Sequence, residues 1–592
     1  MTVIQPSLRD SRRIPGLSVF HPGPGVVIDI ACADRDRAEL IRLWQHEVAR
    51  ILEAVGWSDA ARHALSFPGG ASLFMAAPID CLYSATEVNE WAWQAALRRF
   101  MRQPPPSLSE GAQRLSARIA EEAQPQLAML ARQARGAGVS FNSDHKATSI
   151  GSGRGVQVWL SPDKRTPAAP SPDSVDWSTV RDVPIVLVTG SNGKTTTVRL
   201  LASVVRAWRR TPGFSSTDNI VVGTEVVETG DWSGPMGARA VLRDPRVDVA
   251  ILETARGGIL RRGLAVGRAD AAIVTNIAAD HFGEWGVHDL HGIARAKLVV
   301  GQAARRLVIN AEDPVLVQHV KDMRRQGLIT ADIGYFALSP RHPVLAKHMA
   351  AGGTAAFFDG SDLLFVYRRR ATRVAHAADV PITLGGVARF NVANALGVIL
   401  LASAIGVSKE VIAEGLKRFK GTPRENPGRG HLFEINGARV LVDFAHNPHG
   451  QKALIEAAMG MPAKRKIIIL GQAGDRDDEN IRGLARETWA WRPDRVILKE
   501  MERYLRGRQP GEATGIIRDE FLKLGAAPSI FSHAESEFEA VQAAIAEAQS
   551  GDLVLLPIHA EREKVLALME ELSRKRPGPS APPLRKGALQ EA

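Results

Sequence analysis

The sequence predicts an α/β protein of three successive domains: an α+β domain, a central domain with a parallel sheet and a phosphate-binding loop, and a smaller Rossmann-like α/β domain. Three observations predict this fold class. After residue 181, short apolar runs alternate with amphipathic helical patterns, and a glycine-rich segment joins one such run to a helix. After residue 421, a second set of apolar runs continues the alternation. Parallel strands need a crossover connection, usually a helix, so this alternation is typical of parallel sheets.

The domain limits follow from changes in composition along the chain. Residues 161–180 are rich in proline, serine and aspartate, which predicts a linker. It separates an N-terminal domain, residues 1–160, from the central domain, residues 181–420. The C-terminal α/β domain is assigned to residues 421–573. Residues 574–592 are rich in proline and basic residues and are predicted to be a disordered tail.

The N-terminal domain is predicted to be α+β from its periodicity. Apolar residues recur at helical spacing over residues 38–55 and 112–137. Between them, the segment GGASLFMAAPIDCLYSATEVNEWAW reads as strand followed by helix. It contains no evident catalytic motif, so the sequence leaves the role of this domain open.

The overall composition excludes several classes of protein. The 592 residues include only Cys32 and Cys81, which argues against a disulfide framework. No apolar run reaches the roughly 18 residues of a membrane span, and no apolar stretch follows the charged N-terminus as in a signal peptide. We therefore expect a cytoplasmic protein without a membrane partner. A homo-oligomer is compatible with the sequence but not specified by it.

The net charge of +11 allows two interpretations. It fits a solvated basic surface, or a site for polyanions such as ATP and acidic peptides. The basic residues are dispersed, and no nucleic-acid-binding motif is present. We therefore expect no nucleic-acid partner.

The strongest local signal is the segment TGSNGKTT, which follows an apolar run and opens a helix with an apolar stripe. Backbone N–H groups at a helix N-terminus, together with the helix dipole, favour a bound phosphate. Lys194 would reach the β- and γ-phosphates of ATP, and the Thr195 hydroxyl would bind Mg²⁺. The residues predicted to bind the nucleotide here are Gly190, Asn192, Gly193, Lys194, Thr195 and Thr196.

The loop departs at one position from the common phosphate-loop pattern GxxxxGK[ST], because Val188 replaces the first glycine. A glycine-rich turn without a ligand is the alternative interpretation. The Lys-Thr-Thr run directly after Gly193 favours the phosphate site.

The form TGSNGKTT resembles the Mur ligases, ATP-dependent enzymes that form amide bonds. Further segments resemble successive motifs of that family, over roughly residues 184–570: ILETARGGILRRGL, TNIAADHFGEWG, NAEDP, RFNVANAL and VDFAHNPHG. Within the family, the C-terminal half of cyanophycin synthetases is most similar to three segments of this chain: LETARGGILRRGL, LRGRQPGEA and ENPGRGHLFEINGARVLVDFAHNPHG.

Cyanophycin synthetases carry an ATP-grasp domain before this half. Here residues 1–160 are too short to hold it, and Ala134–Leu160 resembles only a truncated remnant, so that second activity is expected to be missing.

The resemblance implies a metal site beside the loop. Glu253 ends an apolar run, and a carboxylate at the carboxyl end of a parallel strand can hold Mg²⁺. The matching family residues imply that His281 contacts a second Mg²⁺ and that a carbamylated Lys297 also binds metal. An unmodified lysine on a helix face remains the alternative for Lys297. The metal ligands are thus expected to be Thr195, Glu253, His281 and Lys297.

The resemblance also implies contacts with the rest of the nucleotide. Asn391 would contact adenine, with a helix N-cap as its alternative role. Arg429 would reach the phosphates from the C-terminal domain, since guanidinium suits bidentate phosphate contacts. Asp443 and His446 would hold the ribose region. The residues assigned to catalysis are Lys194, His281, Lys297 and Arg429.

The expected function is an ATP-dependent acid–amino-acid ligase acting through an acyl-phosphate. Its substrates would be a small-molecule or short-peptide carboxylate and an amine, for example a basic amino acid added to an aspartate-type carboxylate. In the acidic loop after one C-terminal strand, Asp475 and Asp477 could pair with a cationic substrate or simply be solvated. Arg506 and Arg508 could bind a substrate carboxylate. The alternative is a non-catalytic ATP-binding partner or regulatory subunit of a complete synthetase.

Overall fold

The computed structural model describes residues 5–162, 167–279 and 282–575. Part of the proposed linker, residues 163–166, and His281 with its neighbour Asp280 lie outside the described residues. The tail predicted from residue 574 is described only as far as residue 575, where the last helix ends. The α/β fold class predicted from the sequence is confirmed.

The N-terminal region is a four-stranded antiparallel sheet, in the order β1-β2-β4-β3, covered by helices. Buried Trp44 donates a hydrogen bond from Nε1 to Oδ1 of Asn89 at 2.9 Å, which joins the first two helices. The elements are β1 (Ser7–Ile14), β2 (Gly25–Ala31), α1 (Asp34–Ala54), β3 (Arg62–Phe67), β4 (Gly70–Ala76), α2 (Leu82–Phe100), α3 (Leu108–Glu122) and α4 (Pro125–Ala137).

The helical periodicity of residues 112–137 is shared by two helices, α3 and α4. The break falls at Pro125, which occupies the first turn of α4. Proline lacks a backbone N–H and disfavours helical geometry in the residue before it, so a helix ends there and a new one begins.

The segment that resembles an ATP-grasp remnant forms a small antiparallel sheet in the order β5-β6-β7. It is fastened to the central region by Arg243, which forms an ion pair with Asp144 at 3.0 Å and donates to the Ala147 carbonyl at 2.7 Å. Val175, from the proposed linker, is buried in the same small core as Leu130. The strands are β5 (Phe141–Ser143), β6 (Ala147–Ile150) and β7 (Gln157–Leu160).

The central region is an eleven-stranded sheet in the order β11-β10-β9-β12-β8-β13-β14-β15-β16-β17-β18. The strands from β9 to β16 in this order are parallel, and antiparallel strands complete both edges. Its strands are β8 (Ile185–Thr189), β9 (Pro212–Ser215), β10 (Asn219–Val222), β11 (Glu225–Thr229), β12 (Val249–Glu253), β13 (Ala269–Val274), β14 (Ala304–Asn310), β15 (Asp332–Ala337), β16 (Thr354–Phe358), β17 (Asp362–Tyr367) and β18 (Arg370–His376).

Helices cover both faces of this sheet. Helices α5 and α12 belong to one core, and α12 is apolar on nearly all sides because it is packed between the sheet and its neighbours. The helices are α5 (Lys194–Ala207), α6 (Pro235–Leu242), α7 (Arg256–Arg262), α8 (Leu290–Lys297), α9 (Val299–Ala303), α10 (Pro314–Arg325), α11 (Pro343–Ala350), α12 (Arg389–Ala404) and α13 (Lys409–Arg418).

The C-terminal region is a six-stranded sheet in the order β19-β20-β24-β21-β22-β23, parallel except for β19. Its elements are β19 (His431–Ile435), β20 (Ala438–Asp443), α14 (Pro448–Met459), β21 (Lys466–Leu470), α15 (Asp478–Trp489), β22 (Arg495–Lys499), α16 (Glu512–Lys523), β23 (Phe531–Ala534), α17 (Glu537–Glu547), β24 (Leu553–Pro557) and α18 (Arg562–Lys575).

Within the described ranges, no helix has both the length and the apolar character needed to cross a bilayer.

Candidate functional site

The glycine-rich loop connects β8 to α5, between Thr189 and Lys194, in the middle of the central sheet. Gly190 and Gly193 have φ angles of 146° and 86°, in the region that favours glycine. A Cβ on Gly190 would lie 1.8 Å from Oγ1 of Thr275, and one on Gly193 would lie 2.4 Å from Oδ1 of Asn394. Both positions therefore require glycine for space as well as for conformation.

The end of β13 holds the loop in shape. Thr275 donates from its hydroxyl to the Asn192 carbonyl at 2.6 Å, and the Asn192 N–H donates to Oδ1 of Asn276 at 2.9 Å. These contacts arise because β13 is the parallel neighbour of β8, with Val274 opposite Thr189. Neither Thr275 nor Asn276 was predicted as a site residue, although the polar pair directly after an apolar run was a usable signal.

Glu253 lies at the carboxyl end of β12, the other parallel neighbour of β8. It is 1% exposed and accepts hydrogen bonds from the hydroxyls of Thr195, at 2.9 Å, and Thr217, at 2.7 Å. Hydroxyl and carboxylate oxygens are the ligands that Mg²⁺ prefers. The predicted metal ligands Thr195 and Glu253 are thus adjacent, and their chemistry fits such an ion.

Two lysines lie beside the loop. Lys194 donates from Nζ to the Ser191 carbonyl at 3.2 Å. Lys297, the last residue of α8, is buried and donates from Nζ to the Gly190 carbonyl at 2.7 Å. Both lysines line the same cavity.

Only some of the expected metal ligands lie within the described residues. His281 lies outside them. No group of three or more histidine, cysteine, aspartate or glutamate side chains among the residues described is arranged to hold a metal ion. The roles proposed for His281 and Lys297 therefore stay predictions.

Arg429, in the connection between α13 and β19, reaches the loop from the C-terminal region. Its guanidinium lies 3.0 Å from the carboxylate of Asp218 and 3.4 Å from the hydroxyl of Thr195. Arg199 and Arg562 also bind Asp218, at 3.1 and 2.8 Å. Burial would raise the pKa of Asp218, but the three arginines outweigh it and hold that pKa below its usual range. Asp218 was not predicted as a site residue.

Asn391 lies in the first turn of α12, whose N-cap residue is Ala388, so it is not the helix cap. Its amide donates to the Ile382 carbonyl at 2.9 Å and accepts from Asn394 at 3.1 Å. These two hydrogen bonds hold Asn391 at the wall of the cavity. Its contact with adenine stays a prediction.

Asp443 is the last residue of β20, and His446 lies three residues further along the chain. Protein atoms surround the carboxyl group of Asp443 densely although one side lines the cavity, and the resulting poor solvation raises its pKa to about 6. Nδ1 of His446 lies 3.0 Å from the Phe444 carbonyl. On the same loop, the Asn447 amide exchanges two hydrogen bonds of 3.2 Å with the Asn192 side chain.

These residues surround one cavity of about 640 Å³ between the central and C-terminal sheets. Glu253 lies behind Thr195 rather than on the wall. The predicted residues that line the cavity are Gly190, Asn192, Gly193, Lys194, Thr195, Thr196, Lys297, Asn391, Arg429, Asp443 and His446.

Comparison with known proteins identifies the two regions that form this cavity. Residues 188–402 match the model of the Mur ligase middle domain, and residues 428–557 match that of the Mur ligase glutamate ligase domain. The chain belongs to the Mur ligase family. The β8–α5 loop and Glu253 thus lie in the Mur ligase middle domain, and Arg429, Asp443 and His446 lie in the glutamate ligase domain.

Two curated relatives are cyanophycin synthetases. That of Crocosphaera subtropica is 36% identical over 63% of this chain and 42% of its own length. That of Synechocystis sp. is 38% identical over 61% of this chain and 41% of its own. The chain spans about two fifths of the length of these relatives. Among solved structures, E. coli FolC in complex with ADP shares 20% identity over 67% of this chain and 90% of its own, with a TM-score of 0.49.

In the acidic loop that contains Asp475 and Asp477, the carboxylates already have partners within the protein. Asp475 forms an ion pair with Arg506, and Asp477 caps α15 by accepting from the Asn480 N–H at 2.7 Å. Arg508 donates to the carbonyls of Gly474 and Arg476 and forms an ion pair with Asp478 at 2.8 Å. Arg508 therefore stabilises the conformation of this loop.

Proposed function

We propose that this Mur ligase family member is an ATP-dependent ligase that joins a carboxylate to an amine through an acyl-phosphate. The observation that carries the proposal is the hydrogen bond of 2.9 Å between Thr195 and Glu253 at the N-terminus of α5, beside Lys194. A simple anion-binding turn does not need a buried carboxylate there. A site for a metal-bound triphosphate does, because the ion must be held next to the phosphates.

We assign Lys194 and the N-terminus of α5 to the β- and γ-phosphates of ATP. Thr195 and Glu253 would hold Mg²⁺, which supplies positive charge that neutralises the phosphate oxygens when bound. Arg429 lies 3.4 Å from Thr195 and offers a second cation from the opposite wall. Asn391, Asp443 and His446 are proposed to hold the nucleoside.

In the proposed reaction an oxygen of the substrate carboxylate attacks the γ-phosphorus, and the bond from that phosphorus to ADP breaks. The amine then attacks the acyl carbon, loses a proton, and phosphate leaves. Phosphoryl transfer of this kind depends on positioning and charge neutralisation, so no protein nucleophile is required. The cavity between two domains supports this because closure would exclude water from the acyl-phosphate.

We further propose that the amine is a basic amino acid and the carboxylate an aspartate side chain or short acidic peptide. The similarity to cyanophycin synthetases supports this class of substrate. The ion pair between Asp475 and Arg506 supports the same class of amine. In this pair a carboxylate of the acidic loop binds a guanidinium, which is the group that an arginine substrate carries. A substrate guanidinium would compete with Arg506.

The test is phosphate release from ATP with tetra-aspartate as carboxylate and arginine, lysine or ornithine as amine. Release should require both substrates, and Lys194→Ala should abolish it. Lys420→Ala is the matched control, since Lys420 is exposed and outside the cavity. If the protein binds ATP and yet no pair of substrates stimulates release, the alternative of a non-catalytic ATP-binding partner is favoured.

A further inference from the structure

A second cavity, of about 770 Å³, lies where the N-terminal region, the small sheet and the central region meet. It shares no lining residue with the proposed ATP site. Part of its wall is the ATP-grasp-like segment around Phe141, to which the proposed ligase reaction assigns no role.

The wall of this cavity is basic. Arg132 and Arg135 come from α4, Arg239 from α6, and Arg268 precedes β13. None of the lining residues is aspartate or glutamate. The guanidinium of Arg268 lies over Gly138 at the end of α4, where an added Cβ would come within 2.6 Å of its Nη1 atom. This places Arg268 beside the helix that carries Arg132 and Arg135.

Two carboxylates lie behind the wall, and one of them, Asp182, accepts from the N–H and the hydroxyl of the lining residue Ser140 at 2.9 and 3.0 Å. Asp144 lies behind the wall and is shared, 3.6 Å from Arg239 and 3.0 Å from Arg243. Within the described part of the chain, Arg132, Arg135 and Arg268 form no ion pair with a carboxylate. These three arginines are exposed to solvent, and their like charges would attract an anion that enters the cavity between them.

Two buried donors in the same wall also lack acceptors. The side-chain amide nitrogen of Asn142 and Nε of Arg239 have no hydrogen-bond partner within the described residues. Asn142 is 5% exposed. A buried donor without an acceptor costs about 1–3 kcal/mol, a cost that an anion reaching these donors would offset.

We propose that this cavity binds a small polyanion carrying two or more carboxylate or phosphate groups. Guanidinium groups pair with both kinds of group through parallel N–H···O bonds, and the Asn142 amide adds a neutral donor deep in the site. The ligand would contact the N-terminal region and the Mur ligase middle domain at once.

The proposal is tested by calorimetric titration of the full chain at low salt without added nucleotide, and of the Lys194→Ala variant in parallel to separate binding at the first site. Tetra-aspartate and tripolyphosphate are the two probes, and they distinguish a carboxylate from a phosphate ligand. The triple variant Arg132→Gln/Arg135→Gln/Arg268→Gln removes the three exposed arginines of the wall and keeps the largely buried Arg239. The control Arg114→Gln/Arg118→Gln removes exposed charges from α3, which does not line the cavity.

One probe should bind at a site that Lys194→Ala leaves unchanged, and the triple variant should weaken that binding at least tenfold while the control retains it. Asn142→Leu, checked for an unchanged melting temperature, should weaken it several-fold, which general charge attraction would not produce. The proposal is overturned if neither probe binds the wild-type protein. Equal losses in the triple variant and the control would overturn it too, because binding would then reflect net charge alone.

Discussion

The carboxylate of Asp218, in the connection between β9 and β10 of the middle domain, binds the guanidinium of Arg429 from the glutamate ligase domain at 3.0 Å. Arg562, also from the C-terminal region, binds the other carboxylate oxygen at 2.8 Å. Both contacts are largely buried from solvent. The Asp218 carboxylate thus holds two guanidinium groups of the C-terminal region next to the phosphate loop. One of them belongs to Arg429, the residue proposed to contact the phosphates.

We expect Asp218→Asn to destabilise the protein by about 3 kcal/mol, because removing one partner of a buried ion pair leaves uncompensated buried charge. Denaturant unfolding measures the change. Asp332→Asn is the control, since its ion pair with Arg306 spans 3.8 Å and Asp332 is mostly exposed, so a loss of about 0–1 kcal/mol is expected. Similar losses in the two variants would contradict the tethering role of Asp218.

We expect Gly190→Ala to abolish nucleotide binding, because the new methyl group would collide with the Thr275 hydroxyl and displace the loop. Gly327 also has a positive φ, 72°, but open space around it. Gly327→Ala should therefore cost only the conformational strain of about 1 kcal/mol and leave binding intact. Fluorescence titration with a labelled ATP analogue distinguishes the two, and tight binding by Gly190→Ala would rule out a steric requirement at this position.

We expect Glu253→Gln to lower substrate-stimulated phosphate release at least a hundredfold while preserving the fold. Glutamine keeps the size of the side chain and can accept from one of the two threonine hydroxyls while its NH₂ group donates to the other. It loses the charge that would attract Mg²⁺. Raising the Mg²⁺ concentration should partly restore the rate. Glu228→Gln, at an exposed position of β11, is the control. A normal rate and normal Mg²⁺ dependence in Glu253→Gln would remove Glu253 from the metal site.

We expect the stability of the protein to depend on the ionisation of Asp443. Its pKa is raised to about 6 in the folded state, from about 3.9 in an unfolded chain. The favourable contribution of the neutral group is therefore present below about pH 4 and is lost as pH rises through 6, by about 3 kcal/mol in total. Asp443→Asn should be more stable than the wild type at pH 8, with the difference vanishing near pH 4. A pH-independent difference in unfolding free energy would contradict this assignment.

Local features of this chain were predictable from the sequence. The apolar runs and helical periodicity that predicted β8, α5, β12, β13 and four of the six C-terminal strands, β20, β21, β22 and β24, depend only on neighbouring residues, and the structure confirms those elements. The separation between α3 and α4 was less evident, because the apolar periodicity continues across Pro125. The roles of Lys194, Glu253 and Arg429 were assigned from motifs, and the structure brings these residues together without testing those roles.

Neighbouring residues are enough to specify that a glycine-rich turn links a buried strand to a helix, because strand, turn and helix are each encoded locally. The distant residues that complete the site are brought there by the packing of strands and domains. The placement of Thr275 and Glu253 depends on the order β12-β8-β13, which periodicity does not encode. The contact between Asp218 and Arg562 joins residues 344 positions apart. Such contacts form only when separate sheets pack against each other, so their geometry is set by the packing of whole domains.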